Sequence, residues 1–154
     1  MKLSEYLHID GIVLDLPGGD KKEILVSLVD SLTRFISIGD KDKIVGLLEE
    51  REALSTTGIG FEVAIPHCKT PEVSGLKIVI ARSNSGIDFD ALDGKPVRLF
   101  FLLVAPEQSS TEHLKALAKI ARLAKDETIR QKLLTIESPE AIIAFIAEQE
   151  DDFS

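Results

Sequence analysis

An α/β fold, with helices packed on one sheet, is predicted by three features of the chain. Amphipathic helical patterns alternate with short apolar strand patterns, the order that builds a helix-covered sheet. Val97–Val104 (Val-Arg-Leu-Phe-Phe-Leu-Leu-Val) is nearly continuous in apolar residues, as expected of a central strand covered on both faces. No repeat, linker or low-complexity segment divides the 154 residues, a length that suits a single domain, 1–154, with a real hydrophobic core.

The elements follow in order. Residues 3–7 form a short helix and Gly11–Leu16 a strand, with Pro17-Gly18-Gly19 as the turn. Asp20 and Glu23 make an acidic variant of a capping box, and Leu25, Leu28, Val29, Leu32, Phe35 and Ile36 share one face of a helix over 21–36. Gly39 stops it, and Asp40 opens a second helix with Ile44, Leu47 and Leu48 inward. One further step of seven along that stripe lands on Arg51. A strand over Phe61–Ile65 ends at Pro66, a second covers Leu76–Arg82, and Ser83–Gly86 is a turn. Gly86–Pro96, with Asp88, Asp90 and Asp93, reads as a solvated acidic loop whose spacing does not fit a calcium loop. After the central strand, Ser109 and Glu112 make a capping box for a helix with Leu114, Leu117, Ala118, Ala121 and Ala124 buried. A shorter helix lies near Asp126–Leu134. Ser138-Pro139 opens the last one, with Ile142, Ile143 and Ile146 inward and a frayed acidic end at Glu148–Asp152.

Composition excludes several classes of function. The net charge of -8 argues against phosphate-backbone binding, so no nucleic-acid partner is expected. No apolar run approaches the roughly 20 residues that cross a bilayer, so no membrane insertion is expected either. A single Cys rules out a disulfide framework and a cysteine-based zinc cluster, and fits a reducing, cytoplasmic setting.

The chemistry centres on Arg51–Thr70. Pro66 fixes its own φ and extends Ile65, so the strand delivers His67 where a loop begins. Gly58 and Gly60 let the backbone approach an anion, and Ser55, Thr56 and Thr57 add hydroxyl donors. Arg51, on an apolar stripe, either caps the end of its helix or meets an anion. His113 falls at about the fourth helical position after Ser109, where a helix start disfavours an imidazolium; a lowered pKa is expected there. His8 has no supporting pattern and reads as a surface or packing residue. His67, Cys68 and His113 make a poor zinc site, because adjacent ligands do not easily reach one metal and no fourth ligand stands out. Cys68 as a nucleophile with His113 as base is the weaker alternative to Cys68 as a small packed residue. The residues alone therefore support an anion-binding α/β domain with a functional histidine. No metal or cofactor is implied.

Glu52 through Cys68, with Ile59-Gly60 and then Val63-Ala64-Ile65-Pro66-His67-Cys68, resembles the phosphohistidine signature of enzyme IIA domains of the bacterial phosphoenolpyruvate-dependent phosphotransferase system, in the fructose/mannitol class. The resemblance spans about residues 4–148, and it implies a mixed sheet flanked by helices. Gly86–Val97 and Phe100–Pro106, followed by His113-Leu114-Lys115-Ala116-Leu117, are most similar to the nitrogen-regulatory type. It implies that His67 accepts a phosphoryl group from a phosphocarrier histidine protein, HPr-like or nitrogen-type. Arg51, His113 and the Ser55–Gly60 loop would stabilise the transferring group. The product would act through phosphorylation-dependent contacts with a regulatory target protein. The alternative implied is a free-standing sugar-specific enzyme IIA that passes phosphate to the cysteine of a IIB domain.

Overall fold

A computed structural model describes residues 1–153 of the chain. Among them are six strands in one mixed sheet: β1 (Ile12–Val13), β2 (Gly58–Gly60), β3 (Val63–Ala64), β4 (His67–Lys69), β5 (Lys77–Ile87) and β6 (Val97–Ala105). The helices are α1 (Lys21–Leu32), α2 (Lys41–Leu54), α3 (Ser110–Lys125), α4 (Glu127–Thr135) and α5 (Pro139–Phe153). The sheet runs β1-β5-β6-β3-β2, with β4 also on β6. The β5–β6 and β2–β3 pairs are antiparallel, while β1 pairs with β5, and β3 and β4 with β6, in parallel.

The period-two alternation of β6 divides the core. Phe100, Leu102 and Val104 join Ile24, Leu28, Leu32, Ile44 and Leu48 beneath α1 and α2. Leu99, Phe101, Leu103 and Ala105 join Ala116, Ile120, Leu123, Ile142 and Ile146 beneath α3 and α5. The sheet is thus the middle of three layers, and the unbroken apolar run of β6 follows from its having a core on each face.

Helix starts agree with the caps in the sequence at three places. Asp20 and Glu23 form a reciprocal capping box. Asp40 and Ser138 each accept a backbone N–H from the first turn of their helices, and Asp126 caps α4 in the same way. The Ser109–Glu112 box does not form: Ser109 makes no side-chain cap, and the Glu112 carboxylate accepts the Tyr6 hydroxyl at 2.8 Å instead. The buried stripe of α3 is also rotated, running through His113, Ala116, Ile120, Leu123 and Ala124 and leaving Leu114 65% exposed.

Other expectations change in detail. Helix α1 stops at Leu32, where the Thr33 hydroxyl bonds back to the Asp30 carbonyl, though Phe35 and Ile36 still pack on the core. The first strand is only Ile12–Val13. Strand β5 continues through the expected turn at 83–86 by bulging between Arg82 and Ile87, with Gly86 at φ 83°. The acidic loop is anchored rather than merely solvated. Phe89 is fully buried edge-on to Phe100, and the Leu92 N–H bonds to the Gly58 carbonyl.

The acidic end is not frayed. Helix α5 continues to Phe153, and the buried Glu150 carboxylate accepts the backbone N–H groups of Leu3 and Ser4, tying the first turn of the chain to its last helix. Ser154 lies outside the described residues. Removing a buried acceptor leaves its donors desolvated and unpaired, so Glu150→Ala is expected to lower stability by about 1–3 kcal/mol, read as a shifted urea midpoint at unchanged slope.

Candidate functional site

The stretch expected to be one strand is a hairpin followed by an interrupted strand. Strands β2 and β3 are joined by Phe61 and Glu62, both at positive φ (59° and 65°) as a type I′ turn requires. Val63 and Ala64 then pair with Leu99 and Phe100, and His67 to Lys69 pair with Leu103 to Ala105. The offset along β6 is the same on both sides, so β3 and β4 keep one register through Ile65-Pro66. His67 therefore opens a strand rather than ending one before a loop.

Pro66 is the cause. It has no N–H to give to a ladder, and it holds Ile65 extended. The Ile65 carbonyl, on the edge away from β6, accepts from His67 Nδ1, 2.8 Å away. With the proton held on Nδ1, Nε2 carries the free lone pair. Alternation along the strand puts His67 and Lys69 on the α3 side with Val63 and Ile65. Cys68 falls on the other side with Ala64, in the core beneath α1 and α2.

His67, Arg51 and His113 line one open groove of ≈ 830 Å³. Arg51 comes from the last turn of α2, with Nη1 bonded to the Ser55 carbonyl at 2.8 Å, so it caps its helix while facing the groove. His113 comes from the first turns of α3, its ring edge-on to that of His67 with centroids 5.3 Å apart. It is only 4% exposed, and its Nδ1 is buried with no hydrogen-bond partner among the described residues. Holding its proton on Nε2 avoids burying a donor with no acceptor.

Both imidazoles are kept neutral. Burial lowers the His113 pKa to about 4, and the nearby His67 and Lys69 act in the same direction. Burial also lowers that of His67, against the opposing pull of the Ile65 carbonyl. Cys68 is 8% exposed, and burial pushes its thiol up to about 12, which removes the thiolate on which its nucleophilicity would depend.

The expected hydroxyl and glycine loop does not line the groove. The Thr56 hydroxyl donates to the Phe89 carbonyl, and that of Thr57 to Glu52. Ser55 is engaged by Arg51. Gly58 is needed for close packing, because a Cβ there would lie 2.8 Å from Ala91 Cα; Gly60 sits at φ 96° in the hairpin. These residues build the frame: the Thr56 and Thr57 hydroxyls donate within the protein, and the Ser55 oxygens accept from Arg51.

Two residues of the site escaped the sequence reading. Lys69 lines the groove and bonds the Ser110 hydroxyl at 2.9 Å; its signal was the two-residue spacing from His67. Glu52, at the head of the signature, binds Thr57 and lies 3.0 Å from Lys21. His8 takes the packing role expected of it, stacked on Phe35 and capping Asp10.

Two cations, an imidazole nitrogen with a free lone pair and a second neutral imidazole line one groove. Residues 5–149 match the family model described as phosphoenolpyruvate-dependent sugar phosphotransferase system, EIIA 2. The chain belongs to this family. A nitrogen regulatory protein of Bradyrhizobium diazoefficiens is 37% identical over 147 residues, covering 96% of this chain and 95% of that protein. The fructose-specific EIIA component of Haloferax volcanii is 36% identical over 146 residues, covering 95% of each. The crystal structure of nitrogen regulatory protein IIA-Ntr from Neisseria meningitidis superposes with a TM-score of 0.87 at 36% identity, covering 94% of this chain and 98% of that one. This enzyme IIA is a phosphotransferase component with the mixed sheet that the resemblance implied.

Because the folded pKa of His113 lies below its ordinary 6.5, the unfolded chain binds a proton between those values that the folded chain refuses. Its contribution to stability is complete above pH 6.5 and is lost as pH falls toward 4. Histidine NMR titration is expected to place His113 near 4, and His113→Gln to flatten that limb of the stability profile. Iodoacetamide at neutral pH is expected to leave Cys68 unmodified until the protein is denatured.

Proposed function

We propose that this enzyme IIA accepts a phosphoryl group on Nε2 of His67 from the phosphohistidine of a phosphocarrier histidine protein. The observation that carries the reading is the Nδ1–H···O=C bond to Ile65, which fixes the nucleophilic tautomer inside the groove that Arg51 and His113 line. The imidazole lone pair forms the new P–N bond as the donor's P–N bond breaks, and the electron pair returns to the donor's ring nitrogen. As Nε2 bonds phosphorus, positive charge grows on the ring and the Nδ1–H becomes a stronger donor. The Ile65 carbonyl therefore holds the transition state more tightly than the ground state.

Arg51 and Lys69 neutralise charge on the phosphoryl oxygens, and neutral His113 donates Nε2–H to one of them. Such positioning is most of what phosphoryl transfer requires. The exposed Leu54 and Leu114 flank the groove, 83% and 65% accessible, and supply apolar contact for a partner that excludes water as it docks.

The protein acts as a nitrogen-type regulator in the cytoplasm, where the phosphoryl group on His67 changes which target can dock. This is supported by the nitrogen-regulatory relatives and by the fit to IIA-Ntr. The similarly close fructose-specific relative supports a second reading, onward transfer to a IIB cysteine.

In a relay reconstituted from phosphoenolpyruvate, His67→Ala is expected to abolish labelling; labelling that survives sinks the assignment. Arg51→Ala and His113→Ala are expected to slow phosphorylation by about 10²-fold each with the circular dichroism spectrum intact. Capture of a regulatory target by only one phosphorylation state, with no chase of label onto IIB domains, is expected from the nitrogen-type reading.

A further inference from the structure

The geometry points to Glu52 as a positioning residue for the phosphoryl transfer, setting the tautomer and orientation of His67 through Thr57 and Ile65. This rests on His67 being the acceptor.

Three links connect the carboxylate to the imidazole. Glu52, at the C-terminal end of α2, has a side chain only 5% exposed. One of its oxygens accepts the Thr57 backbone N–H at 2.9 Å, and the other accepts the Thr57 hydroxyl. The Thr57 carbonyl, in turn, accepts the Ile65 N–H at 3.0 Å. The Ile65 carbonyl then accepts His67 Nδ1–H at 2.8 Å. Lys21, 3.0 Å from the same carboxylate, balances the charge from the start of α1.

The link at Ile65 is where support is most needed. Pro66 has no N–H, so the chain on either side of it has one fewer hydrogen bond to hold the Ile65 peptide plane. The plane's orientation decides where the Ile65 carbonyl points, and so which ring nitrogen of His67 keeps the proton. The Thr57–Ile65 bond fixes the N–H side of that residue. Thr57, 3% exposed, is itself fixed by two bonds to one carboxylate. A carboxylate so nearly buried is costly unless it is fully bonded, and every bond made here leads to the site or to Lys21.

The test combines two readouts: long-range ¹H–¹⁵N NMR of the His67 ring, and steady-state transfer from a phosphocarrier histidine protein charged by enzyme I and phosphoenolpyruvate. In the parent chain the ring is expected to be neutral with its proton on Nδ1. Glu52→Ala is expected to give a mixture of tautomers and a kcat reduced about 10- to 100-fold at unchanged KM, because Glu52 lies too deep to meet the donor protein. Glu52→Gln keeps an oxygen for the Thr57 N–H and an amide to face its hydroxyl. It is expected to restore both the tautomer and most of the rate.

A folded Glu52→Ala chain with the Nδ1–H tautomer and rate intact overturns the proposal. So does a loss carried by KM alone, or a Glu52→Gln chain no better than Glu52→Ala. Should Glu52→Ala not fold, Thr57→Val removes only the hydroxyl link, and an unchanged tautomer and kcat there overturns the proposal equally. The tautomer is read without any phosphoryl donor. A failed labelling assignment for His67 is therefore distinguishable from a failed role for Glu52.

Discussion

A backbone carbonyl without a partner strand governs this structure. The Ile65 N–H meets the Thr57 carbonyl, but the Thr57 N–H goes to Glu52 and not back to Ile65, so the Ile65 carbonyl takes His67 Nδ1. Pro66 breaks the ladder at one residue without shifting register, since Val63 to Lys69 keep the same offset along β6. The Ile65 carbonyl is then within reach of the His67 side chain. Strand register and the orientation of the His67 ring are thus fixed within the same three residues, Ile65 to His67.

Burial then divides the labour of the titratable groups. Desolvation acts against charge on His67 and His113 and against the thiolate of Cys68, so the same physical effect keeps two imidazoles neutral and makes the thiol inert. The cations, Arg51 and Lys69, stand at the groove, each attached to a serine. In a chain of net charge -8, the positive charge at this groove is a local arrangement set against the overall field.

Much of this was legible in the sequence because it rests on short-range physics. The caps at Asp20, Asp40 and Ser138 are local, and the apolar run of β6 reports burial on both faces directly. His67 was legible from Pro66 and the signature around it. What was missed depends on contacts distant in the chain. Glu112 leaves its capping box for Tyr6, 106 residues away, and Glu150 reaches the first turn of the molecule. The α3 stripe was placed one residue off because Leu114 and Leu117 look like core residues, yet they line an open groove. Phe61-Glu62 gave no turn signal, since neither residue prefers positive φ and the turn is held from β6, whose Arg98 and Leu99 N–H groups bond the Glu62 carbonyl. The Thr56 and Thr57 hydroxyls were legible as donors but not as donors already engaged.

The pairing of β4 with β6 has a consequence for how the domain breathes. Strand β6 is buried from Leu99 to Ala105 and is flanked by strands on both sides, so its amides and those bonded to it belong to the last unit to open under native conditions. The histidine is therefore attached to the slowest-exchanging part of the protein, although its ring meets solvent. Sub-global opening of outer helices leaves the backbone of His67 on the sheet but carries away Arg51 and Glu52 with α2 and His113 with α3. The lifetime of the complete site is therefore that of the helices packed on the sheet, while the strand that bears the imidazole outlasts them.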